Sequence, residues 1–198
     1  MSELLVVSDD YWGARAETII AENKDVIVAV DRSGGLIRAL KLVLRGSVPI
    51  PAAMHMWSAQ RGLPGEKPKS KLVFADNSGL RSLAEREHVT NIVLFRAGLI
   101  ISGKTLERCH VRNIHCADIH GFGGLASIYR ALKAGAFDQL ATLHTVTNRI
   151  DEGDILDVEP FELDPEIGYA ANEARAYEAG LKLLFRTLGS GPPPNGRT

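Results

Sequence analysis

The chain has 198 residues, 45% of them hydrophobic, with 23 basic and 24 acidic side chains and a net charge of −1. That length supports one domain whose core needs neither disulfides nor a metal. Near-neutral charge excludes a global field that would draw the chain to nucleic acid or an anionic membrane, and apolar runs such as Ile92–Phe95 and Leu99–Ile101 are too short to span a bilayer.

The opening MSELLVVSDD places no basic segment ahead of its apolar run, so no secretory signal is expected. Glu3–Ser8 is predicted as a first buried strand, Ala14–Glu22 as a helix and Asp25–Val30 as a second buried strand. Gly35–Leu44 follows with helical spacing of Leu36, Ala39, Leu40 and Val43. Between Gly46 and Lys71, Pro49, Pro51, Pro64 and Pro68 with Gly62 and Gly65 predict an irregular segment. Trp57, Met54 and Met56 within it are read as core residues in preference to ligand contacts.

Leu72–Ala75 is predicted as a short strand, Ser78–Arg86 as a helix, and Thr90–Phe95 and Val111–His115 as strands. Gly123–Lys133 should be a helix with Leu125, Ile128 and Leu132 on one stripe and Gly135 at its end. Gln139–Thr147 and Ile155–Phe161 read as neighbouring strands around a turn at Asp151–Asp154. Asp164-Pro165 predicts the start of a long amphipathic helix on which Ala170, Ala174, Tyr177, Leu181, Leu184 and Leu188 recur. That stripe suits either the sheet or a homodimer. Strands alternating with helices imply an α/β, Rossmann-like domain over residues 1–188: a mainly parallel twisted sheet, with ligands at the carboxyl ends of its strands. Residues 189–198, GSGPPPNGRT, read as a disordered tail.

Residues 98–105, GLIISGKT, fit the phosphate-loop pattern G-x-x-x-x-G-K-[ST]. Its four free positions include Leu99, Ile100 and Ile101, branched where a backbone cradle must form, and only Leu106–Cys109 remains for a following helix. The segment is therefore read as a loop whose apolar residues line a pocket or the core. Asp31 would be the acidic strand end of a phosphate site, in reversed order. Cys109, His110, His115, Cys116 and His120 invite a zinc reading, but their spacing lacks paired ligands, and His115 and Cys116 face opposite sides of a strand. Two cysteines and no disulfide framework suit a reducing compartment, so a cytoplasmic location is expected. Asn113 and His115, two apart on one strand, share a face, and Gly121, Gly123 and Gly124 loosen the loop that follows.

The run NIHCADIHGFGGLASIYRALKAG, followed by LHTVTNRIDEGDIL, resembles the catalytic core of the folate-dependent formyltransferases. The family pattern is N-x-H-P-[S/A]-x-L-P-x-[Y/F]-x-G, then T-x-H and [I/V/L]-D-x-G. Asn113, His115, Phe122, Gly124, His144 and Asp151 match its positions, while Cys116 and His120 replace the two usual prolines. The resemblance runs from about Thr90 to Leu156 and implies the formyltransferase fold.

It also implies transfer of a formyl group from N10-formyltetrahydrofolate to a primary amine, with no metal; near-neutral charge and short apolar runs add the expectation of a small substrate, no nucleic acid and no membrane. Asn113, His115 and Asp151 would be catalytic: Asn113 and His115 meet the formyl oxygen as it gains charge, and Asp151 orients His115 and takes the amine's proton. A carboxylate beside His115 would raise its pKa and favour a charged donor. Gly98, Leu99, Ile100 and Ile101, with Asn148, Arg149 and Ile150, would hold the folate, and Phe122 and Gly124 would border the acceptor. An N-terminal Gly-Ser-Asn phosphate loop, found in the glycinamide ribonucleotide enzymes, has no counterpart in Ser8–Gly13. A nucleotide-linked amino sugar or another specialised amine is therefore the expected acceptor. A formyl-folate hydrolase, a glycinamide ribonucleotide enzyme, a binding-only member and a nucleotide-triphosphate enzyme remain alternatives.

Overall fold

The structure is a computed structural model in which residues 2–34 and 48–189 are described. The helix predicted over Gly35–Leu44 and the tail beyond Gly189 lie outside the described residues. Among the described residues one sheet contains β1 (Glu3–Ser8), β2 (Val26–Asp31), β3 (Val73–Phe74), β4 (Asn91–Phe95), β5 (His110–His115), β6 (Asp138–Thr145) and β7 (Ile155–Glu162). Their order is β3-β2-β1-β4-β5-β6-β7; the first five are parallel and β6 runs antiparallel to both neighbours. The chain moves outward from β1 to β3 and then resumes at β4 on the other side of β1. The β1/β4 boundary is thus the topological switch point, where crevices form at strand ends.

Alternation along the strands sorts side chains into two cores. Leu5, Val7, Val93, Phe95, Ile114 and Cys116 face one side. There they meet α1 (Tyr11–Ile19), α6 (Ser127–Ala134) and α7 (Tyr169–Leu188) through Ala16, Ile128 and Leu184. Leu4, Val6, Ile92, Leu94, Val111 and Cys109 face the other, against Leu80 and Leu83 of α3 (Asn77–Arg86). Asp10 and Asp76 start α1 and α3 by accepting from Gly13 N and Gly79 N at 3.1 and 2.8 Å. The two cysteines therefore lie on opposite sheet faces and cannot share a metal.

Four expectations are corrected. The segment between Gly46 and Lys71 holds a helix, α2 (Ile50–Arg61): Pro49 and Pro51 sit at its start, where a missing N–H costs nothing, and Gly62 ends it. Met54 and Trp57 lie on its outer face, 66% and 55% exposed, so they are surface residues and not core. The last helix begins at Tyr169, five residues after Asp164. Asp164 instead closes a turn onto Glu166 N, and the Asn172 amide donates to the Asp164 carbonyl at 2.8 Å. Leu125, expected on the α6 stripe, precedes that helix and is exposed.

Candidate active site

The carboxyl half of β5, His144 on β6 and Asp151 in the 146–154 loop form the site. Asn113 pairs in register with His144 on the antiparallel β6, so both side chains project from the same sheet face. The His144 ring is buried. Its Nδ1 lies 2.8 Å from the Thr145 carbonyl, which can only accept, so Nδ1 carries the proton. In the neutral ring Nε2 is then an acceptor, and the Asn113 amide donates to it at 3.1 Å. That bond spends one Asn113 N–H and fixes the amide plane, leaving the second N–H free to meet an oxygen.

Asp151 enters from the 146–154 loop with left-handed backbone, φ 53°, a conformation Asp tolerates better than most residues. Its Oδ2 accepts from Gly124 N at 2.6 Å and lies 3.4 Å from His115 Nδ1, while Oδ1 lies 3.5 Å from His144 Nε2. One carboxylate thus meets two imidazoles and a backbone amide, with its side chain 11% exposed. Burial opposes its ionisation, but the His144 ring, which can donate from Nε2 only when protonated, the nearby His115 and the Gly124 N–H outweigh that and hold its pKa at about 2.

His115 also approaches the Phe122 carbonyl through Nε2, at 3.4 Å. Both ring nitrogens therefore face acceptors, and a neutral ring can serve only one of them. The expectation of a raised pKa is reversed: burial pulls His115 down, and this outweighs the pull of Asp151 upward. Burial thus favours the neutral form of His115, and Asp151 is the acceptor that faces its Nδ1.

The remaining candidates fall around this centre. Leu99 N donates to the buried Asp31 carboxylate at 2.8 Å, and Ser33 N donates to it at 2.7 Å. Asp31 thus anchors a loop, and its carboxylate is occupied. Asn77 accepts from Ser102 N and donates to the Ile100 carbonyl, so the 98–102 segment is pinned to α3. Ile101 turns into the core, whereas Ile100 is 59% exposed and Gly98 is open to solvent. Across from them Asn148, Arg149 and Ile150 are exposed, and Asn148 borders Gly103: an added Cβ there would lie 3.3 Å from Asn148 Oδ1. Asn148 thus lies beside the start of the helix that follows the 98–102 segment, and Ile100 and Ile150 are both exposed apolar side chains.

The phosphate-loop geometry fails. The helix after it, α4 (Gly103–Leu106), is one turn long, and Thr105 is buried with its hydroxyl on Asn77 Oδ1 at 3.1 Å. Cys116 packs against Gly180, where an added Cβ would lie 2.6 Å from Sγ, and burial pushes its thiol up to about 12. It is a core atom, not a nucleophile.

Two contributors were not legible as such. Arg96 sits at the switch point with φ 57°, donates to Asp10 at 2.7 Å and stacks on Tyr177. Arg130 reaches the loop after β5, and its spacing from Gly124 carries no recognisable signal.

The family model described as Formyl transferase matches residues 66–188, well over half the chain. Methionyl-tRNA formyltransferase of Phenylobacterium zucineum is 27% identical over 146 residues, covering 73% of this chain and 46% of that protein. The Heliobacterium modesticaldum protein of the same name is 25% identical over 184 residues, covering 90% and 54%. The chain thus spans about half the length of the curated relatives it matches. Among solved structures, phosphoribosylglycinamide formyltransferase from Streptococcus pneumoniae superposes with TM-score 0.64 at 20% identity, covering 95% of this chain and 99% of that one. A sugar N-formyltransferase from a Shewanella species gives 0.62 at 17%, covering 95% and 68%. At these identities the structural likeness speaks for the fold.

Proposed function

The chain belongs to the formyl transferase family, and from that premise we propose that it moves a formyl group from N10-formyltetrahydrofolate to a primary amine of a small substrate at Asn113, His115 and Asp151. The observation that carries this reading is the Asp151 carboxylate set between two imidazoles, with Asn113 oriented by one of them. The folate supplies the formyl carbon, with its ring against Gly98–Ile101 and Asn148–Ile150. When an amine attacks a formyl carbon, charge develops on the oxygen and an acidic proton on the nitrogen. The free N–H of Asn113 meets that oxygen. His115 Nε2, whose contact with the Phe122 carbonyl is long, is the ring nitrogen available at the same centre. Asp151 stabilises the imidazolium that forms when His115 takes up the amine's proton, and His115 returns that proton to the departing folate nitrogen as the formyl C–N bond breaks; no metal is needed.

The acceptor is read as a nucleotide-linked amino sugar or another small amine. Supporting this over a ribonucleotide phosphate, the N-terminus of α1 is already met by the chain's own Asp10, which also pairs with Arg96. The similarity to methionyl-tRNA formyltransferases favours a second reading, in which the amine is carried on tRNA. Among the described residues no helix is long and apolar enough to cross a membrane, and we place the protein in the cytoplasm.

A thermal-shift panel tests the class. Formyl-folate should raise the melting temperature, and Mg²⁺-ATP should leave both wild type and Lys104→Ala unmoved. Stabilisation by Mg²⁺-ATP that Lys104→Ala abolishes, with none from folate, would overturn the reading. Amine panels that include aminoacyl-tRNA separate the acceptors, and formate release without amine would mark a hydrolase.

A further inference from the structure

The loop from Cys116 to Ala126 lacks the two prolines of the family pattern, having Cys116 and His120 in their places. It is also rich in glycine, and Gly124 and Ala126 both adopt left-handed backbone, φ 81° and 55°. The one-turn helix α5 (Ile119–Phe122), capped by Asp118, orders its middle, but the Gly123–Ala126 stretch beyond it keeps glycine's freedom. Yet the site depends on this loop twice: Phe122 O faces His115, and Gly124 N–H holds Asp151.

One side chain gathers this loop. Arg130, on the first turn of α6, donates from Nη2 to the Phe122 carbonyl at 3.0 Å and to the Gly123 carbonyl, and from Nε to the Leu125 carbonyl at 3.2 Å. The Gly123 carbonyl and the Gly124 N–H belong to one peptide group. Arg130 therefore grips the oxygen of the same peptide plane whose N–H points at Asp151. Rotating that plane would aim the carbonyl at the carboxylate and lose both bonds. Because both flanking residues are glycine, little else opposes the rotation. A planar guanidinium presents its donors as a fork, whereas an ammonium is a single mobile point. The cation also polarises the peptide, which strengthens the N–H as a donor.

We propose that Arg130 is a positioning residue for formyl transfer, locking the Gly123–Gly124 peptide so that its N–H fixes Asp151. This rests on the reading of Asp151 given above. Arg130 is also one of the groups that hold His115 neutral, after burial and beside His144.

The test uses Arg130→Met, which keeps the stem without donors, and Arg130→Lys, which keeps the charge without the fork. Amide exchange at Gly124 should quicken about tenfold in both, the loss expected for a charge-assisted hydrogen bond. With an amine that wild type formylates, kcat should fall about tenfold or more while KM for the folate stays within about threefold. Should Arg130→Met fail to fold, Arg130→Lys carries the same two readouts. Folded variants with unchanged Gly124 exchange would overturn the proposal. Faster exchange with unchanged kcat would overturn it too. If Asp151→Asn also left transfer intact, the fault would lie in the reading of the site.

Discussion

Replacing Asp151 by Asn should lower formyl transfer by about 10²–10⁴-fold, the range for loss of a positioned acid–base group. The substitution preserves shape, so Gly124 N–H still finds an oxygen, but the charge that faces His115 at 3.4 Å is gone. A neutral amide cannot stabilise the imidazolium that the reaction creates, and His115 is already held neutral by burial. The same change should alter acid stability. Asp151 has its pKa lowered to about 2 from 3.8, so its contribution is fully present above pH 4 and is lost as pH falls from about 4 toward 2. Wild type should therefore lose stability over that window more steeply than Asp151→Asn, as urea midpoints measured against pH will show. Transfer within a few-fold of wild type, with an unchanged acid limb, would remove Asp151 from the mechanism.

Gly153→Ala should destabilise the fold by about 3 kcal/mol or more, at the upper end of overpacking costs. Its added Cβ would overlap the Thr145 carbonyl oxygen and crowd Thr145 Oγ1 at 2.7 Å. Neither atom can give way. Thr145 pairs with Arg112 across the sheet, its N–H donates to the Asp154 carbonyl at 3.0 Å, and its hydroxyl accepts from Asp154 N at 2.9 Å. Relief would push the loop outward and carry Asp151 with it, so activity should fall with stability. Gly65→Ala is the control: nothing lies within 4 Å of its added Cβ, and it should stay within about 0.5 kcal/mol of wild type. Equal denaturant midpoints for the two variants would show that the close approach at Gly153 carries no weight.

The strands were legible because buried parallel strands are continuous apolar runs, and β1, β2 and β4 differ from expectation by no more than one residue at either end. Helix α2 was hidden by its own flanking breakers: Pro49 and Pro51 mark a start and Gly62 a stop, but their density reads as irregular structure when counted together. The residue types of the site were readable from Asn113, His115 and Asp151. What they do to one another was not. That Asn113 is oriented by His144 depends on the β5/β6 register, which no local pattern encodes. That His115 is neutral depends on burial outweighing Asp151, a balance of tertiary terms. Arg130 was invisible because its three partners are backbone carbonyls, which every sequence supplies.

Titration of 5-formyltetrahydrofolate, a stable donor analogue, with the His115 imidazole and Gly124 amide resonances followed, reads whether formyl-folate is met at Asn113, His115 and Asp151. Both should move together and saturate at one equivalent, with the shift at His115 lost in Asp151→Asn. Saturating binding that leaves both resonances in place, or no binding at all, would contradict the account.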